Sequence, residues 1–171
     1  MNKIILLVCM LILAAVAYTV FSGNSANSAD KDSIEADFVF DQKVFELNGR
    51  NVTIFSKPDN YLIEFNRPRI PLYSKEVELP ENASLERVEM KDSEFKPYEN
   101  VKVEFTPFDE HFVPANDSLK GFYPEQIYWY NVFETLDGRK KVEIIAAPIQ
   151  YNNQTRQARI YGKMKIAVYY K

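Results

Sequence analysis

The C-terminal end carries the plainest pattern of apolar and polar positions. Ala158, Ile160, Gly162, Met164, Ile166, Val168 and Tyr170 alternate with Gln157, Arg159, Tyr161, Lys163, Lys165, Ala167 and Tyr169. Side chains of period two lie on opposite faces of a strand, so the alternation predicts a strand over 157–170 with one buried face. It is longer than most strands, and Gly162 supplies a point for a bend or bulge. Its polar face is rich in Lys and Arg, as on an exposed face or on an edge that resists foreign strands.

Other segments repeat the theme. Val101, Val103 and Phe105 alternate with Lys102, Glu104 and Thr106, and Val77 and Leu79 with Glu76 and Glu78. Val142, Ile144 and Ala146 mark another strand, ended by Pro148. Asp137-Gly138 separates the aromatic run Ile127–Phe133 from Val142–Ala146, and Asn48-Gly49 separates Val44–Leu47 from Val52–Phe55. Both dipeptides suit tight hairpins, because they tolerate positive φ. No window shows helical periodicity with caps, and nine Pro residues punctuate the strands instead. About nine short strands with regular turn signals predict an all-β domain over 36–171, an antiparallel β-sandwich of Ig-like kind.

The N-terminus is of a different kind. Lys3 precedes an uncharged apolar run from Ile4 to Phe21. Its length lies between a secretory h-region and a membrane-spanning helix, so residues 1–21 read as a signal peptide or a signal anchor. Ala15-Val16-Ala17 offers a small-x-small cleavage site after Ala17; uncleaved, the helix is an anchor with its basic end in the cytoplasm. Either outcome places the domain outside the cytoplasm, secreted or anchored at the outer face of the cytoplasmic membrane, with no other membrane contact. Residues 22–35 are small and polar at first and read as a flexible linker. Four N-x-S/T acceptors, Asn51, Asn82, Asn116 and Asn153, are candidate glycosylation sites in an exported protein.

Composition then narrows the function. The 171 residues contain one Cys, Cys9 in the apolar run, and one His, His111. A Cys–His nucleophile pair within the folded domain, a Cys/His zinc site and an intradomain disulfide framework are all excluded. Five Gly residues, none in a Gly-rich loop, leave no phosphate cradle. The net charge of −3 gives no footprint for nucleic acid. No cofactor is implied, and the chain is not expected to be an enzyme.

Two stretches, taken in order, carry a resemblance. Asn66-Arg67-Pro68-Arg69-Ile70-Pro71-Leu72, continuing through Val77-Glu78-Leu79-Pro80-Glu81-Asn82-Ala83, resembles a signature near the start of the propeptides of gingipain-family cysteine peptidases. Ala147-Pro148-Ile149-Gln150-Tyr151-Asn152-Asn153, continuing to Ile160-Tyr161, is similar to a later segment of the same propeptides. With Phe122-Tyr123-Pro124 and the closing strand, the resemblance spans about 36–171. Asn66 stands where the family pattern usually has Gly, and Asn153 where it often has Pro. Asn tolerates the left-handed conformation, so the first departure is mild.

The resemblance implies a propeptide-like antiparallel β-sandwich that covers the active-site cleft of a catalytic domain, keeps it latent and assists its folding. It implies a protein partner, a gingipain-type peptidase catalytic domain, with inhibition by an exposed loop or sheet edge. The catalytic Cys–His system belongs to that domain, expected to be absent from this stand-alone chain. The motifs themselves are read as structural: Pro68 and Pro71 hold an extended crossing between strands, and Tyr151-Asn152-Asn153 turns the chain into its last strand. Exposed basic loop candidates for partner contact are Lys120 and the cluster Arg139, Lys140, Lys141, whose plainer reading is a solvated hairpin end.

Two other readings stand beside it. A cell-surface interaction or carbohydrate-binding sandwich would use Tyr123, Tyr128, Trp129 and Tyr130, although alternation puts Trp129 on the face opposite Tyr128 and Tyr130, and aromatics on strands mostly fill cores. An unrelated metal-dependent enzyme would use Asp109-Glu110-His111, but adjacent residues seldom converge on one ion.

Overall fold

Alternation becomes strand wherever the alternating segments fall within the described residues. The computed structural model describes residues 32–64, 67–102 and 121–171, and these contain eleven strands and no helix. They are β1 (Ser33–Val39), β2 (Gln42–Leu47), β3 (Arg50–Phe55), β4 (Asn60–Leu62), β5 (Ile70–Glu78), β6 (Leu85–Tyr98), β7 (Val101–Lys102), β8 (Tyr128–Glu134), β9 (Lys140–Ala146), β10 (Ile149–Asn152) and β11 (Gln157–Tyr170). The apolar segment 4–21, Cys9, the cleavage site after Ala17, Val103–Thr106 and Asp109-Glu110-His111 lie outside the described residues. So do Asn66, Asn116 and Lys120. β1 begins three residues before the expected domain boundary at 36, since Ser33, Ile34 and Glu35 pair with Tyr169, Val168 and Ala167.

β11 organises the first sheet. β6 pairs along one side of it, and β1 and β10 share the other, all antiparallel. The strand is therefore interior, and its Lys-bearing side is an exposed face rather than an edge. Ala158, Ile160, Met164, Ile166 and Val168 are buried as the alternation requires. Tyr161, Ala167 and Tyr169 on the opposite face are buried too. Long side chains from β6 cover them: the Phe95 ring lies 5.4 Å from that of Tyr161, and the Arg87 guanidinium sits 3.8 Å over Tyr169. At Gly162 the register with β6 slips between Tyr161 and Lys163, the bulge that a residue without a side chain admits.

A second sheet runs β4-β5-β9-β8, and a third runs β2-β3-β7, in which β3 and β7 are parallel, the one departure from antiparallel pairing among the described strands. Asn48 (φ 52°) and Gly49 (φ 71°) close the β2–β3 hairpin with positive φ at both central residues, and Gly138 (φ 81°) does so for β8–β9.

Two apolar clusters hold these sheets. The first joins Phe38, Met164, Ile166 and Val168 of the β11 sheet to Val77, Val142, Ile144 and Ala146 of the β5–β9 sheet. The second gathers Ile70, Val101, Tyr123, Ala147, Ile149, Tyr151, Ala158 and Ile160. Removing one such aliphatic side chain from water contributes about 1.5–3 kcal/mol. With no cysteine in the described residues, packing of this kind is what holds the domain.

Candidate partner-binding surfaces

The segments that carry the resemblance converge on the second cluster. Tyr123 and Tyr151 exchange backbone hydrogen bonds of 2.8 and 2.7 Å. The buried Gln150 amide donates to the carbonyls of Pro124 (2.9 Å) and Glu125 (3.3 Å), and its oxygen accepts from the Tyr161 hydroxyl (2.8 Å). The Tyr161 N–H donates to the Pro148 carbonyl at 2.8 Å, and the Arg67 guanidinium lies 5.3 Å from the centre of the Tyr123 ring. Residues far apart in the chain thus form one knot, every contact of which is structural.

Burial pushes the Tyr151 and Tyr161 hydroxyls above the ordinary tyrosine range. It does the same for Tyr123, with the neighbouring Glu64 carboxylate adding to the effect. These groups stay neutral at any physiological pH and act as packing and hydrogen-bonding groups. Among the described residues, no three of His, Cys, Asp and Glu come together as metal ligands.

Pro68 is fully buried, but Pro71 lies within β5, opposite Tyr61 of β4, rather than in a crossing between strands. Tyr151 and Asn152 are strand residues rather than turn residues. The turn is 153–156, where the Asn152 side-chain oxygen accepts from the N–H groups of Gln154 (3.0 Å) and Thr155 (3.2 Å).

The basic cluster is bonded within the domain. Arg139 holds both Glu78 oxygens at 2.9 and 3.0 Å and Asp137 at 2.7 Å. Lys141 reaches Glu76 at 2.8 Å, and Lys140 donates to the Ala83 carbonyl at 3.2 Å. Any partner that takes one of these cations must displace those acceptors. Of the sequons, Asn82 lies exposed in the turn after β5, whereas the Asn51 amide in β3 donates to the Glu99 carbonyl at 2.8 Å. Asn153 is half-buried at the start of the 153–156 turn.

Two exposed apolar surfaces were not foreseen from the sequence. One is a groove of about 510 Å³ between the β2–β3 hairpin and β5, lined by Leu47, Ile54, Phe55, Tyr61, Ile70 and Pro71. The other is β8. Tyr128 packs on the first cluster and Trp129 on the second, so the two rings face opposite ways and share no stacking platform. Tyr130, Val132 and Phe133 are 45%, 50% and 38% exposed, against the expectation that this aromatic run fills the core. The reason is position: among the described strands β8 is the last of its sheet.

Comparison with known proteins bears on the whole domain. The model of the Propeptide_C25 family matches residues 51–171. The fold is similar to a chain in the complex of the Porphyromonas gingivalis RgpB pro- and mature domains, with a TM-score of 0.63 and 21% identity over 84% of this chain and 83% of that one. It is also similar to a chain of gingipain K from Porphyromonas gingivalis, in a structure addressing zymogenic latency. There the TM-score is 0.57 and the identity 20%, over 85% of this chain and 89% of that one. No curated protein sequence matches.

Proposed function

This chain belongs to the Propeptide_C25 family as a non-catalytic propeptide domain, and on that premise we propose that it binds a gingipain-type cysteine peptidase catalytic domain and holds it latent. The observation that carries the proposal is the family match across 51–171, over which the three motif segments knot around one core. The domain itself is then a scaffold, a two-layer β-sandwich whose β11 sheet packs on the β5–β9 sheet through the first cluster. Such a scaffold holds an exposed loop rigidly enough to occupy a cleft, and binding without chemistry is all that the role requires. Residues 1–21 serve export, which brings the domain and a secreted or surface peptidase into the same compartment outside the cytoplasm.

The test is inhibition. Purified chain is titrated into a mature gingipain-type catalytic domain of the same organism, with residual hydrolysis of a peptide substrate as readout. The expected result is saturable inhibition with a Kd of about 1 µM or tighter, near 8 kcal/mol. Full activity at a hundredfold molar excess, with no complex on gel filtration, would reject the proposal.

A further inference from the structure

We propose that the free edge of β8 is a self-association surface, pairing antiparallel with β8 of a second copy of this chain about a twofold axis at Asn131. Among the described residues β8 pairs with β9 alone, in an unbroken register from Tyr128↔Ala146 to Glu134↔Lys140. The strand has no proline, no bulge and one charged residue, Glu134, so it lacks the devices that keep edges apart. Its apolar side chains also overhang. Tyr130 and Val132 lie opposite Ile144 and Val142, which are fully buried, yet are themselves about half exposed. Among the described residues the covering layer that seals β9 stops short of β8.

The occupant follows from the strand's own sequence. In a continuous sheet, residues directly opposite each other must point to the same face, so a twofold pairing has to centre on a residue rather than between two. Only a centre at Asn131 pairs all seven residues of the strand. It sets Tyr130 opposite Val132, Trp129 opposite Phe133 and Tyr128 opposite Glu134 of the second copy. The two inner pairs thus set an aromatic ring against a β-branched or aromatic partner, the favourable cross-strand combinations, while the outer pair sets Tyr128 against Glu134. No two like charges are opposed. Asn131 meets its own copy at the axis, with its amide already held by Glu143 at 3.0 Å. Two four-stranded sheets become one, and the unguarded edge disappears.

The test uses the full chain carrying Cys9→Ser, so that an introduced thiol is the only one. Residues directly opposed across an antiparallel pair have Cα atoms about 4.5–5.5 Å apart, inside the range a disulfide spans. Asn131→Cys should oxidise to a covalent dimer, whereas Val132→Cys, two positions from its own copy along the partner strand, should give at least about tenfold less. This contrast in register carries the test, because residues 4–21 are apolar enough to bring chains together at random. Adding Tyr130→Lys to Asn131→Cys should abolish the dimer while far-ultraviolet circular dichroism stays unchanged. Equal cross-linking at 131 and 132, or a dimer yield at 131 no higher than for Glu89→Cys on β6, would overturn the proposal. An Asn131→Cys thiol shielded from a small alkylating reagent in a chain that does not dimerise would overturn it too, by placing other residues over the edge.

Discussion

β6 and β8 each pair on one side only among the described strands, yet their sequences treat the free side in opposite ways. β6 reads Leu-Glu-Arg-Val-Glu-Met-Lys-Asp-Ser-Glu-Phe-Lys-Pro-Tyr: half its residues are charged, Pro97 lies near its end, and its register with β11 breaks three times. β8 reads Tyr-Trp-Tyr-Asn-Val-Phe-Glu and runs unbroken beside β9. Charge, proline and bulges are the known means of keeping a strand edge from recruiting another chain. The domain uses all of them on one edge and, on the other, only the single charge of Glu134 at the strand's end. Bareness at β8 is therefore not a general property of this sequence but a local one, as a surface kept for pairing would be.

The largest effect breaks the comparison altogether. Ile144 is fully buried in the cluster that joins the two sheets and backs Tyr130 across the β8–β9 ladder. Ile144→Ala should lower stability by about 2–5 kcal/mol, seen as a lower denaturant midpoint than that of the parent at the same protein concentration. A smaller loss should follow from Tyr161→Phe, which strips the Gln150 oxygen of its buried 2.8 Å partner; about 1–2 kcal/mol is expected. Since Gln150 lies in the knot and not on β8, the same denaturation curves should come with unchanged cross-linking at position 131. A loss of cross-linking there would mean that the two regions are not independent.

Exchanging the guards sharpens the contrast. Val132→Lys places a β6-like charge on β8 and should change unfolding free energy by no more than about 0.5 kcal/mol, because the side chain is half exposed. Removing charge from the other edge, with Glu89→Val and Lys91→Val together, should do the reverse. Stability should again stay within about 0.5 kcal/mol, while sedimentation velocity should detect association that rises with concentration. A double variant as monodisperse as the parent would show that the bulges of β6 suffice without its charges.

How much of this was legible in the sequence depends on range. The strand over 157–170, the bulge at Gly162 and the hairpins at Asn48-Gly49 and Asp137-Gly138 are local, and the period of two and the need for positive φ are written in neighbouring residues. The motif segments signalled the family without revealing why they matter, because the Gln150–Pro124 and Tyr123–Tyr151 contacts join residues more than twenty positions apart. The aromatic run 127–133 was legible only in part, for a related reason: Tyr128 and Trp129 pack on the clusters as strand aromatics mostly do, but Tyr130 and the residues after it do not. Alternation gives the face of a side chain but not the rank of its strand in the sheet, and at the end of a sheet an inward-pointing Tyr130 or Val132 is left half uncovered. The polar face of β11 left two alternatives open, an exposed face or an edge, and only the long-range pairing with β1, β6 and β10 decides for the exposed face by making the strand interior.

The smallest expected effect tests what closes the end of β8. Just beyond Glu134 the Thr135 hydroxyl donates to the Asp137 carboxylate, and Arg139 bonds the other oxygen of that group at 2.7 Å. Together they hold the Asp137 carboxyl below the ordinary carboxylate range, the Thr135 hydrogen bond first and Arg139 second. A folded-state pKa below the unfolded one means that the contribution is present above the unfolded value of about 3.9 and is lost as pH falls through the folded value. The hydroxyl acts at contact distance and the guanidinium acts partly through its charge, so salt separates them. In carboxyl titrations followed by nuclear magnetic resonance, Thr135→Val should raise the Asp137 pKa more than Arg139→Ala. Added salt should shrink the Arg139 effect and leave that of Thr135 nearly intact. The opposite order would assign the turn to the ion pair, and the end of β8 would then be guarded by charge after all, as β6 is.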